Sequence, residues 1–265
     1  MNFPDIFNLY TRWFSNYIHH FLKTYPELSE NIEIKADHSR KVHLEILGIA
    51  QNLGLNDEDT FLAETIGLFH DIGRFKQYVK YQTFSDSKSQ NHAELGVEVL
   101  KENNILKELS SEHKEIIYNA ILNHSRAEIV PDTNEKVIFF SKLIRDADKL
   151  DIWRLITDYY MVKEQRENKT IELELPDTEE ISDEVFYPIL NHKVILKESM
   201  KTLNDFKLLQ IAWIFDLNFD YSVQRLYEKK YLEKIIKTLP ENDKINQVKN
   251  IVDLYLNKRI KAFIH

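Results

Sequence analysis

Residues 65–75 have the sequence TIGLFHDIGRF, in which an apolar run ends in a histidine and an aspartate. The spacing of Ile66 and Phe69 predicts a helix whose buried stripe leads directly to His70 and Asp71. Both polar side chains should then point inward, where each is costly unless it is hydrogen-bonded, paired or bound to a metal. Adjacent residues on a helix lie about 100° apart, so this imidazole and carboxylate can reach one ion. The pair suits divalent metals such as Mn²⁺, Fe²⁺, Zn²⁺ or Mg²⁺.

The composition is that of a soluble globular protein, with 43% hydrophobic and 29% charged residues in a chain of 265. Only 5 glycines and 6 prolines leave little material for tight turns, which favours an all-α fold. The net charge of −8 argues against a long nucleic acid as partner, because a phosphate backbone requires a basic surface. The absence of cysteine excludes disulfides, zinc fingers and thiol catalysis.

The sequence carries no membrane or export signal. No apolar run reaches the roughly 18 residues of a transmembrane candidate. The first residues also lack the basic start of a signal peptide. We therefore expect a cytoplasmic protein without a membrane partner.

A second inward histidine is expected on a helix over residues 32–53. Its apolar stripe includes Val42 and Ile46, and Gly54 follows as a stop. His38 lies four residues before Val42, so it belongs to the core-facing side of this helix.

Two further histidines lie at the ends of predicted elements. The polar segment 83–91 reads as a loop that leads into a helix beginning near His92. The helix expected at residues 112–123 has an apolar stripe that closes on His124, as the stripe of residues 65–75 closes on His70.

A further apolar helix, expected at residues 137–153, is interrupted by carboxylates. Asp148 falls close to its buried stripe, whereas Asp146 and Asp151 lie further round the helix. A buried aspartate needs a partner, and an ordinary salt bridge explains one such residue.

Taken singly, each of these polar residues has an ordinary explanation, such as a hydrogen-bonded core histidine. Four inward histidines and two inward carboxylates together are costly to bury without a shared cation. Neutral imidazoles and ionised carboxylates are what a divalent ion requires. The candidate ligands are His38, His70, Asp71, His92, His124 and Asp148.

The order His, His-Asp, Asp resembles the HD-domain superfamily of metal-dependent phosphohydrolases. The resemblance covers residues 32–153 and rests on His38 in HSRKV, on His70 and Asp71 in LFHDIGR, and on Asp148 in DADKLD. It implies an all-α fold, an HD-domain helical bundle with a C-terminal helical extension.

The resemblance also implies roles for the candidate ligands. His38, His70, Asp71 and Asp148 would hold a first metal, with Asp146 as second choice for the last ligand. Two extra histidines look like those of superfamily members that bind two metals. Asp71 would then bridge to a second ion, and the histidines concerned are His92 and His124. The expected cofactor is a divalent metal, two ions of Mn, Fe, Zn, Ni, Co or Mg, with a single ion as alternative.

Such a site lowers the pKa of bound water and supplies hydroxide near neutral pH, while neutralising a phosphoryl oxygen. The remaining phosphate oxygens need positive charge. Arg74 and Lys149, which lie beside the candidate ligands, are expected to be catalytic together with Asp71. Arg74, Lys149 and Lys88 are the candidates for substrate binding, and the loop at 83–91 is placed to line or close the pocket.

We expect one helical domain over residues 1–265, with an N-terminal helix at 1–30, a metal-binding core at 31–155 and a helical extension at 156–265. Alternating apolar residues at 169–175 indicate a short strand or an extended arm. Further helices are predicted at the following positions: 183–190, 193–218, 222–233 and 242–263.

The function that the resemblance implies is hydrolysis of a phosphate ester, as a phosphomonoesterase or phosphodiesterase acting on a nucleotide or another small phosphorylated molecule. No Gly-Tyr-Pro motif follows His124, which argues against the cyclic-di-GMP phosphodiesterase subgroup. The alternatives are an HD-fold di-iron oxygenase, a non-catalytic nucleotide-sensing protein and a single-metal nucleotidase. The sequence leaves the oligomeric state open, including a homo-oligomer.

Overall fold

The structure, a computed structural model, describes residues 2–131, 134–162, 167–193 and 195–264. Across these ranges the chain is all-α and contains no β-strand, which confirms the predicted fold class. No helix in the described ranges combines the length and the apolar character needed to cross a membrane.

The chain divides into two compact units, Met1–Asp151 and Ile152–His265. The division falls within four residues of the predicted boundary at 155. The expectation of one continuous domain over the whole chain stays a prediction.

The first unit contains the N-terminal helices and most of a long helix that continues into the second unit. The helices are α1 (Phe3–Thr24), α2 (Ser29–Asn52), α3 (Asp57–Phe69), α4 (Gly73–Tyr81), α5 (His92–Glu102), α6 (Ser111–His124) and α7 (Glu135–Val162). Helix α3 packs against α1, α2 and α6, and α5 packs against α4 and α6. Helices α3, α5 and α6, which begin or end at a candidate ligand, are therefore in contact through α6.

Polar caps determine where several of these helices begin. The Asn56 side chain accepts a hydrogen bond from the Asp59 amide at the start of α3. The Asn91 side chain accepts from the backbone amides of Ala93 and Glu94, so that this helix begins at His92, as predicted. Gly54, with a φ of 65°, follows α2 in the left-handed region, where glycine is favoured.

Helices α4 and α5 approach so closely that only glycine fits at the start of α4. A Cβ atom on Gly73 would lie 2.1 Å from the carbonyl oxygen of His92 and 2.5 Å from the amide nitrogen of Gly96. The contact brings the beginning of α5 beside the end of the 65–75 segment. It is the absence of a side chain at Gly73 that lets His92 approach Asp71.

The second unit contains shorter helices. They are α8 (Asp183–Leu190), α9 (Leu203–Ala212), α10 (Asp220–Lys229), α11 (Tyr231–Ile236) and α12 (Asp243–Ile264). The predictions at 183–190 and 242–263 agree with α8 and α12.

Three predictions in this unit are wrong. The α-helix expected at 193–218 spans only Leu203–Ala212, because the Thr202 side chain and Asp205 form a capping box that begins the helix at Leu203. The helix expected at 222–233 is interrupted at Lys230, whose φ of 54° is left-handed. The strand or arm expected at 169–175 is a series of turns, in which the amide of Glu174 donates to the carbonyl of Lys169.

Candidate metal centre

His38 is held on α2 with both ring nitrogens engaged. Its side chain is buried, and its Nδ1 lies 2.8 Å from Asp151 Oδ2 on α7. The other nitrogen, Nε2, lies 3.0 Å from Asp148 Oδ1 and 3.3 Å from Nε2 of His70. One carboxylate therefore orients the ring while the other faces the same space as His70.

His70 follows the last residue of α3 and is fully buried. Its Nδ1–H donates to the carbonyl oxygen of Gly67 at 2.9 Å, a bond one turn back along the chain. Its Nε2 consequently points away from α3 and lies 3.5 Å from Asp148 Oδ1. The predicted position at the end of an apolar stripe is what allows this orientation.

The two carboxylate oxygens of Asp71 face different histidine pairs. Oδ2 lies 3.6 Å from Nε2 of His38 and 3.9 Å from Nε2 of His70. Oδ1 lies 3.3 Å from Nε2 of His92 and 3.7 Å from Nε2 of His124. Asp71 thus lies between two sets of nitrogen atoms.

The second pair is built in the same way as the first. Nε2 of His92 and Nε2 of His124 are 3.0 Å apart. The Nδ1 of His92 lies 2.8 Å from Asp86 Oδ2, and the Nδ1–H of His124 donates to the carbonyl of Ile121. Both rings are buried.

The Nε2 atoms of the four imidazoles lie close together in the centre. Each of the four imidazoles has a carbonyl or carboxylate acceptor at Nδ1, so the Nε2 atom of each neutral ring carries a lone pair. The four lone pairs converge on the carboxylates of Asp71 and Asp148, and lone pairs at 3.0–3.3 Å repel one another. A divalent cation among them removes the repulsion, and the donor set fits one.

The charges of three of the buried groups, Asp71, His92 and His70, agree with that fit. Burial raises the pKa of Asp71, but the charges of Lys35, Arg74 and His70 and a hydrogen bond to His124 together bring the net pKa well below its usual range. Burial, followed by the charge of Arg74, lowers the pKa of His92 to about 3. Burial also lowers the pKa of His70. The aspartate is therefore ionised and these two imidazoles are neutral near pH 7.

Three overlapping groups of described residues could hold a metal ion, because the ligand atoms within each group lie within 4.8 Å of one another. The groups are His38–His70–Asp71, His70–His124–Asp148 and Asp71–His92–His124. Together they contain all six predicted ligands. Asp146 belongs to none of the groups found among the described residues. Asp151 contacts His38 at Nδ1, the ring nitrogen that faces away from the other ligands.

Residues 36–153 match the family model of the HD domain. This part of the chain is similar to an HD domain. The match covers a little under half of the chain and confirms the resemblance seen in the sequence. No curated protein and no solved structure was found to match the chain.

The matched residues 36–153 contain all six candidate ligands. The three predicted cations, Arg74, Lys149 and Lys88, lie in different surroundings. Arg74 lies in the centre: its Nε lies 3.3 Å from Asp71 Oδ1, and its Nη1 donates to the carbonyl of Phe84 at 2.6 Å. Lys149 is buried on α7, where its ammonium donates to the carbonyl of Arg145 at 3.4 Å. Lys88 is exposed in the loop. The roles of all three stay predictions.

Three residues of the centre were not predicted from the sequence as site residues, and one of them, Asp151, was expected further round its helix. Lys35 donates to Asp71 Oδ2 at 2.9 Å, and it lies three residues before His38, a spacing that already indicates one helix face. Asp151 lies three residues after Asp148 on α7, so the same spacing could have identified it. Asp86 belongs to the loop before α5, where no periodicity indicates which side chains point inward.

Proposed function

We propose that the protein is a metal-dependent phosphohydrolase that cleaves a phosphate ester in a nucleotide or another small phosphorylated molecule. The observation that carries this proposal is the position of Asp71, whose two oxygens each face a separate pair of histidine Nε2 atoms. A shared carboxylate between two nitrogen-rich sets is the donor arrangement that a pair of divalent ions requires.

We assign a first subsite to His38, His70, Asp148 and Oδ2 of Asp71. A second subsite consists of His92, His124 and Oδ1 of Asp71. Imidazole-rich sets of this kind suit Mn, Fe, Co, Ni or Zn better than Mg, which prefers oxygen ligands. When bound, such ions act as Lewis acids that polarise a phosphoryl oxygen and lower the pKa of water.

The solvent-facing side of the centre carries the positive charge that a phosphate needs. Asp148 is the most exposed of the six candidate ligands, with 16% of its side chain accessible. Lys35 and Arg74 are comparably accessible, at 17% and 12%. A phosphate that approaches from this side meets an ammonium and a guanidinium on either side of Asp71.

Arg74 is oriented for such a contact. Its Nη1 is held by Gln77, Phe84 and Asp86, and its Nε contacts Asp71. Its Nη2 donates to no acceptor within the ranges that the structure describes. The two N–H groups of Nη2 are thus available for a phosphoryl oxygen, which guanidinium groups bind with good geometry. Lys149, next to Asp148, is proposed as a further cation of the site.

The test is a phosphate-release screen with purified protein, metal-free and reloaded separately with Mn, Fe, Co, Ni, Zn or Mg. Nucleoside mono-, di- and triphosphates and cyclic nucleotides form the panel, and each cyclic nucleotide is followed by chromatography of the product. We expect metal-dependent hydrolysis of at least one substrate, which His70→Ala abolishes. Tight binding of a nucleotide without hydrolysis under any metal would instead support the nucleotide-sensing alternative.

A di-iron oxygenase is the second candidate, and the four imidazoles favour it because such a set holds iron well. Oxygen uptake by iron-loaded protein, in the presence of a phosphorylated substrate and without phosphate release, would support the oxygenase. Phosphate release under anaerobic conditions would support the hydrolase. The cytoplasmic location and the absence of a membrane or long nucleic-acid partner stay predictions from the sequence.

A further inference from the structure

The loop before α5 is tied to the centre through Asp86. Its carboxylate accepts from Nδ1 of His92 at 2.8 Å, from Nε2 of Gln77 at 2.8 Å and from Nη1 of Arg74 at 3.2 Å. Gln77 Nε2 also donates to the Ser89 hydroxyl at 2.8 Å, which fixes the far side of the loop. The same carboxylate therefore orients a candidate ligand and holds the loop at residues 83–91.

Asp151 occupies the corresponding position in the other half of the centre. Asp151 contacts Nδ1 of His38. The other imidazole of each pair, His70 or His124, donates from Nδ1 to a backbone carbonyl. Each proposed subsite thus has one imidazole oriented by a carboxylate and one oriented by the main chain. Asp86 belongs to the second subsite and Asp151 to the first.

We propose that Asp86 is a positioning residue that orients His92 for the second ion and makes the order of the 83–91 loop depend on that ion. Asp151 has the equivalent positioning role for His38 and the first ion, without a loop attached. The inference rests on the ligand assignment of the proposed function. It goes beyond that assignment because it predicts which residue outside the ligand set controls each ion.

The physical reason is the outer hydrogen bond of a metal-binding histidine. A carboxylate at Nδ1 fixes the tautomer with the lone pair at Nε2 and makes that nitrogen a stronger donor to a metal. An ion bound at Nε2 would fix the position of the His92 ring. The Nδ1–H of that ring would then fix Asp86, and Asp86 would fix the loop.

The experiment is a calorimetric titration of metal-free protein with Mn²⁺ or Zn²⁺, comparing Asp86→Asn with Asp151→Asn. Asparagine preserves the shape of each site and removes the charge. We expect Asp86→Asn to lower the affinity for the second ion by about 10- to 100-fold and to leave the affinity for the first ion unchanged. Asp151→Asn should instead lower the affinity for the first ion only. Ser87→Ala, a substitution at an exposed position in the same loop, should change the affinity for neither ion.

Hydrogen exchange of residues 83–91 provides a second readout. In the wild-type protein we expect exchange to slow when the second ion binds, and in Asp86→Asn this response should be lost. Equal weakening of both ions by Asp86→Asn, or an unchanged metal response of the loop, would overturn the inference. Because neither measurement uses turnover, metal binding with the expected split but no phosphate release would contradict only the proposed function.

Discussion

Lys35 and Asp71 form a 2.9 Å ion pair in which the ammonium contacts Oδ2, the carboxylate oxygen that also faces His38. The pair is largely enclosed, with 17% of the Lys35 side chain and 4% of the Asp71 side chain accessible. The charge of Lys35 is the largest influence that keeps the pKa of Asp71 low against burial. A cation therefore lies beside the proposed first subsite before any ion binds.

Lys35→Met removes this charge and keeps the length of the side chain. We expect metal content to stay at the wild-type level, because Lys35 competes with the ion for Asp71 rather than binding it. Phosphate release should fall at least about tenfold, because one positive group near the phosphoryl oxygens is lost. Metal analysis and turnover on the same preparation separate the two effects, and a loss of metal together with activity would contradict this role.

Asp71→Asn and His124→Ala should differ in how many ions they remove. Asp71 faces both histidine pairs, so its loss should remove both ions, whereas His124 faces only Oδ1 and its loss should remove one. Elemental analysis of protein loaded with Mn²⁺ or Zn²⁺ should therefore give about two ions per wild-type chain, one in His124→Ala and none in Asp71→Asn. One ion in the wild-type protein, unaffected by His124→Ala, would favour the mononuclear alternative.

Gly73→Ala should damage the centre through the backbone. The new Cβ would overlap the carbonyl of His92 at 2.1 Å, so α5 must move and carry His92 away from Asp71. We expect the free energy of unfolding to fall by about 1–3 kcal/mol and the second ion to bind more weakly. Gly96→Ala is the matched control, since its Cβ would meet Ile72 at an ordinary 3.4 Å. Equal effects of both changes would argue against this explanation.

The first subsite should lose affinity for its ion on acidification. Burial and Lys35 lower the pKa of His38, but hydrogen bonds to Asp148 and Asp151 outweigh them and raise it above its usual value. As the pH falls through this raised pKa, a proton occupies His38 and competes with the metal, costing about tenfold in affinity per pH unit. His92, with a pKa of about 3, should not compete between pH 5 and 8.

Chelator-competition titrations over that pH range measure the effect. His38→Gln provides the control, because it removes the competing group and should flatten the pH dependence of whatever affinity remains. An affinity of the first ion that does not change between pH 5 and 8 in the wild-type protein would contradict the prediction.

Asp205→Ala tests whether the chain unfolds as one domain. Asp205 is fully buried and accepts from the Ser182 hydroxyl at 2.6 Å and from the Lys201 amide at 2.9 Å. Its loss leaves these donors without their acceptor in a partly buried position and should cost about 1–3 kcal/mol. Under the single-domain prediction, one thermal transition shifts as a whole while metal stoichiometry is unchanged. Two transitions, of which only one shifts, would show that the prediction is wrong.

The local sequence pattern was sufficient to predict much of the first unit. Helical periodicity predicted the inward direction of His38, His70 and His124, because a side chain that continues an apolar stripe is buried with it. The polar segment 83–91 predicted that a helix begins near His92, and the Asn91 side chain caps that helix by satisfying nearby backbone amides. The same reasoning failed at 193–218, where apolar residues continue but a capping box at Thr202 restarts the helix.

The sequence by itself thus determined the all-α class, the inward histidines and their order along the chain, because these depend on contacts within a few residues. The expectation that Asp146 and Asp151 lie further from the core than Asp148 was wrong, since both are buried while Asp148 is partly accessible. Only the tertiary structure decided which oxygen of Asp71 faces which histidine pair, and that Asp86 and Lys35 join the centre. Those distances depend on how α2, α4 and α5 pack together, and close packing at Gly73 has no signature in periodicity. Side chains far apart in sequence meet only after that packing has formed.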